Sequence, residues 1–242
     1  MFDKNISVRY SEMDYKLALK PSALLNYFQD MASENAENLG FGYSYITKKD
    51  LAWFLLKYRI EFNTYPVGEY DLTIKTEPRG YNKLFAYRDF ELSSGEKVFA
   101  RAFTSWALVN LKSGKLSPIK EALDNNPDMP PYERREDDLS FGKIQMPENI
   151  STEKTFEIRY DDIDVNGHAN NCNYIIWALE TLGLEFRSKH YPKTIDIVFK
   201  KEIKYGNCIL SEVETIDETR TLHLLKNART GEDLCVINIL WK

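Results

Sequence analysis

Residues 158–164 read IRYDDID and residues 8–14 read VRYSEMD, so two similar heptapeptides lie 150 positions apart in the chain. The arginine, the tyrosine and the final aspartate are identical, and two further positions change conservatively. Three identities alone are a weak sign of duplication. The sign becomes stronger if the same order of elements follows each copy, because a repeat preserves the order of its parts.

A long amphipathic helix is predicted after each heptapeptide. The first covers residues 21–39, with Pro21 suited to a first helical turn. The second covers residues 171–186. Apolar residues recur at helical spacing in both segments. They are Leu24, Phe28, Met31, Ala32, Ala36 and Leu39 in the first helix, and Ile175, Ala178, Leu179, Leu182 and Phe186 in the second.

Four strands are predicted after each helix. They cover residues 53–62, 70–77, 84–92 and 97–110 in the first half, and residues 194–204, 208–216, 219–227 and 233–241 in the second. Both halves turn at a Gly-Glu pair before the last strand, which favours antiparallel hairpins. An antiparallel sheet curled around a single helix buries the apolar faces of both. The sequence therefore predicts an α+β protein of tandem hotdog domains, each an antiparallel β-sheet wrapped around a long α-helix.

The region between the two halves is rich in proline and acidic residues, for example DNNPDMPPYERREDD. We expect an exposed linker here rather than an extended active-site lid. The predicted domains are residues 1–125, a linker of residues 126–150, and residues 151–242. Two such units form a pseudo-dimer, which can remain a monomer or pair further as a homodimer.

Composition excludes several classes of protein. With 43% hydrophobic and 29% charged residues, the chain resembles an ordinary globular protein. The net charge of −5 gives no indication of nucleic-acid binding. The first residues are too charged for a signal peptide and no apolar run could span a membrane. The three cysteines lack metal-ligand spacing, so we expect a cytoplasmic protein with reduced thiols, no metal and no cofactor.

A polar cluster directly precedes the second helix. Asp164, Asn166 and His168 alternate, so their side chains can project to one side of an extended segment. A carboxylate can attack or activate water, an amide can donate to a carbonyl oxygen, and a histidine can carry a proton. Such residues also cap helices, and Asn170 or Asn171 could be the N-cap. The first copy keeps the acid as Asp14 but lacks the asparagine and histidine, which favours a functional role in one half only.

The stretch DVNGHANN of residues 164–171, followed by Tyr174, Trp177 and Leu179-Glu180, resembles the signature of plant and bacterial acyl-acyl-carrier-protein thioesterases. The likeness extends into the first half through Asn82-Lys83, Arg88-Asp89 and the stretch RAFTSW of residues 101–106. The resemblance implies hydrolysis of fatty acyl-carrier-protein thioesters by Asp164, Asn166, His168 and Glu202. Asp164 would attack the carbonyl or activate water, and Glu202 would be the second carboxylate.

A cysteine nucleophile is not expected. The family position that holds a cysteine in plant members is Ile203 here, directly after Glu202. Cys172 lies four residues after His168, within reach on a helix, but it occupies a position that is typically apolar in the family.

The resemblance also implies an acyl-chain pocket in the first domain and acyl carrier protein as the partner. Candidate pocket residues are Phe28, Met31, Trp53, Phe54 and Leu55, although plain core packing explains any single one of them better. A basic patch for the acidic carrier could comprise Lys189, Lys193, Lys200, Lys201 and Lys204, or these lysines could line a solvated strand edge. Alternative functions are a coenzyme A thioesterase, another hotdog enzyme or a non-catalytic acyl-thioester sensor.

Overall fold

The computed structural model of the protein describes residues 1–242. Eleven strands form one sheet: β1 (Phe2–Ser7), β2 (Leu51–Phe62), β3 (Asp71–Asn82), β4 (Phe85–Ser94), β5 (Lys97–Asn110), β6 (Lys115–Ser117), β7 (Thr152–Glu157), β8 (Pro192–Phe199), β9 (Cys208–Asp217), β10 (Arg220–Asn227) and β11 (Asp233–Trp241). The α-helices are α1 (Pro21–Asn38), α2 (Tyr43–Ile46), α3 (Ile119–Ala122) and α4 (Asn171–Lys189). Short 3-10 turns cover Tyr10–Glu12, Thr47–Lys49 and Tyr160–Asp162.

The sheet is built from two half-sheets that share one continuous ladder. Its order is β1-β3-β4-β5-β2-β8-β11-β10-β9-β7, with β6 added beside β5, and every pairing is antiparallel. Strands β2 and β8 join the halves, in register from Lys57 opposite Val198 to Glu61 opposite Thr194. Each half therefore runs strand, long helix and four strands, and the predicted tandem hotdog fold is confirmed.

The two long helices pack against the sheet because each presents an apolar stripe to it. Helix α1 buries Leu24, Phe28 and Met31, and α4 buries Ile175 and Leu179. These side chains belong to one apolar cluster that extends through both halves of the sheet. No helix in the protein has both the length and the apolarity that crossing a membrane requires.

Three predicted element boundaries are wrong by three residues or more. Strand β3 continues to Asn82 rather than ending at residue 77. Strand β8 ends at Phe199 rather than at residue 204, because the N–H groups of Lys200 and Lys201 both donate to the Leu234 carbonyl, at 2.8 and 3.2 Å. This shared acceptor ends the ladder and leaves Glu202 in the following loop. Helix α4 runs to Lys189, with a break at Gly183 where φ is 75°.

The segment between the halves is more ordered than an exposed linker. It begins with β6 and α3, and most of residues 126–150 are exposed, but Met129 and Asp138 are buried. Asp138 accepts hydrogen bonds from Arg79 on β3, at 2.5 Å to Nη1. At Gly80 a Cβ atom would lie 2.4 Å from the Pro130 carbonyl oxygen, so only glycine allows this approach. The segment therefore packs against the first half-sheet at β3.

Candidate active site

A tight turn directly before α4 carries three of the predicted site residues. The Asp164 N–H donates to the His168 carbonyl at 2.8 Å, and Gly167 donates back to the Asp164 carbonyl at 3.0 Å. Gly167 has a φ of 78°, which glycine adopts without steric cost. Ile163 and Ala169 pair as an antiparallel bridge that closes the turn. This local geometry brings Asp164, Asn166 and His168 to one place, as predicted from their spacing.

The Asp164 side chain holds the turn together. Its Oδ1 accepts hydrogen bonds from the backbone N–H of Asn166 at 2.8 Å and of His168 at 3.3 Å. Its Oδ2 lies 3.4 Å from the amide Nδ2 of Asn166. The Asn166 amide is exposed and is held only by this long contact, so it can still donate to another acceptor.

The start of α4 combines a cap with a free donor. Asn170 is the N-cap, and its Oδ1 accepts from the Cys172 N–H at 3.0 Å. One of the N–H groups expected to be free at this helix end is therefore occupied. The N–H of Asn171 donates to no backbone or side-chain group of the protein. Helix starts favour negative charge, so this N–H can stabilise a developing oxyanion.

Glu202 reaches the turn from the loop after β8. The loop is docked by a hydrogen bond from Ala169 N–H to the Ile203 carbonyl, at 2.8 Å. As a result, Glu202 Oε2 lies 3.3 Å from His168 Nδ1. This contact is not a hydrogen bond, and the buried Nδ1 has no hydrogen-bond partner. The structure thus brings all four predicted catalytic residues together, from two segments that are 34 residues or more apart in sequence.

The surroundings shift the protonation of both groups. Glu202 keeps 38% of its side chain exposed, and its partial desolvation, together with the nearby charge of Asp164, raises the pKa of Glu202 to about 7. Burial and the cation of Lys204 lower the pKa of His168. The glutamate therefore exchanges a proton close to neutral pH beside a predominantly neutral imidazole, as general acid–base chemistry requires.

Two residues contribute to the site in ways that sequence reasoning missed. Lys204, expected only in a docking patch, lowers the pKa of both Glu202 and His168. Tyr174 is buried in α4, and its hydroxyl donates to the Lys201 carbonyl at 3.4 Å, next to Glu202. The sequence could have indicated this role of Lys204, because a lysine two residues after Glu202 places its positive charge close to the carboxylate.

The cysteines and possible metal ligands add nothing to this set. Cys172 is buried in α4, and burial raises the pKa of its thiol well above the ordinary range. A thiol in this state is a poor nucleophile. Ile203, directly after Glu202, is also buried, and its apolar side chain offers no nucleophile. No group of three or more His, Cys, Asp or Glu side chains is placed to hold a metal ion.

The first half contains the counterpart of this site with different residues. Asp14 holds an equivalent turn, and Lys16 and Ala18 occupy the positions of Asn166 and His168. The Lys16 ammonium donates to the carbonyl of Arg187 at 2.8 Å at the end of α4. Tyr65 takes the place of Glu202. The Leu19 N–H donates to the carbonyl of Pro66, the residue after Tyr65, as the Ala169 N–H donates to the carbonyl of Ile203, the residue after Glu202. A cleft of about 380 Å³ lies here, and it has no counterparts of Asn166, His168 and Glu202 at the matching positions.

The five predicted pocket residues do not share one environment. Phe28, Met31 and Leu55 are buried together in the core that joins α1 to the sheet. Trp53 packs in a second cluster near α2 and donates its indole N–H to the Phe41 carbonyl at 3.0 Å. Phe54 is half-buried and belongs to neither cluster. Successive strand residues point to opposite faces, which separates Phe54 from Leu55.

The predicted basic patch is divided. Lys189 and Lys193 lie near the start of β8, whereas Lys200, Lys201 and Lys204 follow its end, roughly 23 Å away at strand rise. Lys200 and Lys201 form ion pairs with Asp233 and Glu232, and Lys189 pairs with Glu185. Lys193 and Lys204 have no acidic partner. Only Lys204 therefore places an unpaired positive charge beside the site.

Family comparison gives a consistent result over almost the whole chain. Residues 1–125 match the acyl-ACP thioesterase N-terminal domain, and residues 145–242 match the acyl-ACP thioesterase C-terminal domain. The chain is 27% identical over 261 residues to the chloroplastic acyl-[acyl-carrier-protein] hydrolase FATB3 of Cuphea viscosissima, covering 100% of this chain and 62% of the relative. It is 24% identical over 275 residues to the chloroplastic oleoyl-acyl carrier protein thioesterase 1 of Arabidopsis thaliana, covering 100% and 76% respectively.

Some curated plant relatives are considerably longer than this chain. It spans 62% of the Cuphea viscosissima protein and 52% of a chloroplastic palmitoyl-acyl carrier protein thioesterase of Cuphea hookeriana.

Solved structures agree on the fold. An acyl-ACP thioesterase from Bacteroides thetaiotaomicron superposes with a TM-score of 0.86 at 20% identity, covering 100% of this chain and 97% of that one. The 12:0-ACP thioesterase from Umbellularia californica superposes with a TM-score of 0.88 at 18% identity, covering 100% and 96%. The double-hotdog layout, the turn before α4 and the two domain matches lead to one conclusion: this chain belongs to the acyl-ACP thioesterase family.

Proposed function

We propose that the protein hydrolyses the thioester bond between a fatty acyl chain and acyl carrier protein. The contact between His168 and Glu202, beside an exposed asparagine amide and a free helix N–H, is the observation that carries this proposal. Acyl transfer to water needs a base for the water and donors for the oxyanion, and this cluster offers both. Family membership supports the same reaction.

Glu202 is the base in this proposal. Its raised pKa of about 7 gives it useful fractions of both protonation states at neutral pH. The carboxylate takes a proton from water, and the water oxygen forms a bond to the thioester carbon. His168, 3.3 Å from Glu202, orients the water and the carboxylate. Its lowered pKa keeps the imidazole mostly neutral, so that it can accept as well as donate a hydrogen bond.

Asn166 and the start of α4 stabilise the oxyanion. The free hydrogen of the Asn166 amide and the N–H of Asn171 are the two donors available to the carbonyl oxygen. When the tetrahedral intermediate collapses, the carbon–sulfur bond breaks and Glu202 returns its proton to the departing thiolate. The products are a free fatty acid and the thiol of the carrier protein.

Asp164 acts in this proposal as a positioning residue. Its Oδ1 accepts two backbone hydrogen bonds that fix the carboxylate within the turn, and its Oδ2 lies against the Asn166 amide. Asp14 makes the same bonds in the half that lacks the other three groups. Asp164 therefore orients Asn166 and raises the pKa of Glu202 by its charge.

The acyl chain would lie in the first domain, between α1 and the half-sheet. In this proposal residues 1–125 form the pocket, residues 126–150 the linker and residues 151–242 the catalytic domain. Phe28, Met31 and Leu55 share the interior that such a chain would enter. Trp53 and Phe54 lie outside that interior and would contact the chain only at its margin. One chain supplies all four groups of the site, so the proposed reaction needs no second copy.

Lys204 is the proposed electrostatic contact for the carrier. It is exposed, has no acidic partner and lies beside Glu202, where the substrate thioester must arrive. Acyl carrier proteins are acidic, so an unpaired cation here would favour their approach. The free thiols of Cys172, Cys208 and Cys235 support a reducing, cytoplasmic setting.

The direct test is mass analysis of the fatty acids released from a mixed pool of acyl carrier proteins. We expect release from the carrier pool with higher kcat/KM than from coenzyme A thioesters of the same chains. Equal or higher kcat/KM with coenzyme A would point to the alternative coenzyme A thioesterase. Binding without any release from either carrier would point to an acyl-thioester sensor.

A further inference from the structure

The loop after β8 is bonded to the segment around the start of α4 on both sides of Glu202. The Ile203 carbonyl accepts a hydrogen bond from the Ala169 N–H at 2.8 Å. The Lys201 carbonyl accepts one from the Tyr174 hydroxyl at 3.4 Å. Glu202 lies between these two carbonyls, so the two hydrogen bonds restrict the backbone from which its side chain projects.

Tyr174 is itself held in one place by its ring. It is 1% exposed, and its ring packs edge-to-face against Phe199 and Trp177, with centroids 5.6 and 5.4 Å away. Phe199 is the last residue of β8. The ring of Tyr174 therefore contacts the end of the strand, and its hydroxyl contacts the loop that follows. A buried tyrosine ring with a bonded hydroxyl is a rigid support for that loop.

The first half repeats the backbone of this loop. After β2, the N–H groups of Asn63 and Thr64 both donate to the Phe99 carbonyl, at 2.9 and 3.4 Å, just as two consecutive N–H groups after β8 share one carbonyl. The Leu19 N–H donates to the Pro66 carbonyl at 3.1 Å, as the matching residues do in the second half. These backbone hydrogen bonds are therefore a property of the fold and not of the candidate active site.

The tyrosine hydroxyl is the part that the first half lacks. Leu24 occupies the position in α1 that Tyr174 occupies in α4, and it is also 1% exposed. Leucine fills the same interior without a donor, so the fold does not require a hydroxyl there. The first half also lacks the carboxylate, because Tyr65 stands in the place of Glu202. The hydroxyl and the carboxylate thus occur together, in the half that carries the candidate active site.

We propose that Tyr174 is a positioning residue for Glu202, because its hydroxyl fixes the loop backbone so that the carboxylate stays beside His168. The proposal rests on the proposed function, in which Glu202 is the base. The 3.3 Å contact between the two side chains is not a hydrogen bond, so the position of the carboxylate depends on its backbone. A general base must be held within reach of the water that it activates, and small displacements are costly.

Loss of the hydroxyl should affect the carboxylate and leave substrate binding largely intact. The charged or titratable groups that face Glu202 are Asp164 and His168 from the turn and Lys204 from its own loop. A looser carboxylate would be better hydrated and farther from the charge of Asp164. Its pKa should therefore fall from about 7 toward the ordinary range of a glutamate.

Two phenylalanine variants separate positioning from stability. Tyr174→Phe keeps the ring and removes the hydroxyl. Tyr65→Phe is the matched control, because its buried hydroxyl donates to the Leu19 carbonyl at 2.8 Å. Each variant loses one hydrogen bond to a backbone carbonyl, so their losses of thermal stability should be similar. Only Tyr174→Phe should lower kcat, by about ten- to a hundredfold with KM within about twofold of the wild type. It alone should also move the acidic limb of kcat/KM to lower pH.

A titration without substrate measures the same displacement directly. The carboxyl carbon of Glu202 is followed by ¹³C NMR in protein with labelled glutamate, and Glu202→Gln identifies its signal. We expect a lower pKa of Glu202 in Tyr174→Phe than in the wild type, and an unchanged pKa in Tyr65→Phe.

The outcomes distinguish this proposal from the proposed function. An unchanged Glu202 pKa in Tyr174→Phe would overturn the positioning role whatever the value of kcat, as would equal changes in the two phenylalanine variants. A wild-type protein that hydrolyses no acyl carrier protein would refute the proposed function. In that case a Glu202 pKa lowered by Tyr174→Phe alone would still leave the positioning of the carboxylate standing.

Discussion

Asp14 and Asp164 make the same pair of hydrogen bonds in the two halves of the protein. Asp164 Oδ1 accepts from Asn166 N and His168 N at 2.8 and 3.3 Å, and Asp14 Oδ1 accepts from Lys16 N and Ala18 N at 2.9 and 3.0 Å. The aspartate is therefore part of the turn in both halves, and the chemistry differs through the residues that the turn presents.

The pair allows the structural and catalytic roles of the aspartate to be separated. Asparagine keeps an Oδ1 acceptor, so Asp164→Asn should fold, with thermal unfolding close to the wild type. Loss of the charge should lower the pKa of Glu202, move the acidic limb of kcat/KM to lower pH, and reduce kcat/KM by about ten- to a hundredfold. Asp14→Asn is the control and should change neither the acidic limb nor the size of kcat/KM. A complete loss at every pH would instead identify Asp164 as the base or nucleophile.

The pKa of Glu202 predicts the pH profile of hydrolysis. The proposed base works when deprotonated, so kcat/KM should rise with pH through about 7, the value to which partial desolvation and Asp164 raise the pKa of Glu202. Glu202→Gln should remove that limb and lower kcat/KM by about 10²- to 10⁴-fold. His168→Ala should cause a loss of similar size. A rate that falls through the same range would mean that protonated Glu202 is the active form.

Lys204 and Asp164 should shift the acidic limb of kcat/KM in opposite directions, because their charges have opposite signs. Its cation lowers the pKa of Glu202 and of His168, so Lys204→Met should raise both and move the acidic limb of kcat/KM to higher pH. Lys193→Met removes a lysine near the far end of β8 and should leave the limb in place. Rate profiles on the same acyl carrier protein measure both. If the two variants shift the limb equally, the effect is one of net charge and not of position.

Phe28 should matter to folding far more than Phe54 does. Phe28 is fully buried and stacks on Phe90 with ring centroids 4.7 Å apart, whereas Phe54 is half-buried outside the core. Phe28→Ala should lower the free energy of unfolding by about 3–5 kcal/mol, and Phe54→Ala by clearly less. Denaturant titration measures both. Equal losses would show that the interior between α1 and the sheet rearranges around a missing ring.

The elements of this fold could be predicted because they depend on local patterns. Both long helices begin where Pro21 and Asn171 indicated, and strands β5 and β11 have the predicted bounds. The boundary of β8 could not be read from the sequence. It depends on the Leu234 carbonyl, which takes the hydrogen bonds that would have continued the strand.

Within the site, the turn that presents Asp164, Asn166 and His168 follows from the sequence, since its hydrogen bonds join residues at most four positions apart. The repeat likewise indicated two similar halves with different chemistry. The tertiary structure alone decided that β2 pairs with β8 and that Glu202 lies 3.3 Å from His168. It also decided that the Tyr174 hydroxyl bonds to the loop beside Glu202. These relationships join segments distant in the chain, and burial and distance set their charges, which no local pattern encodes.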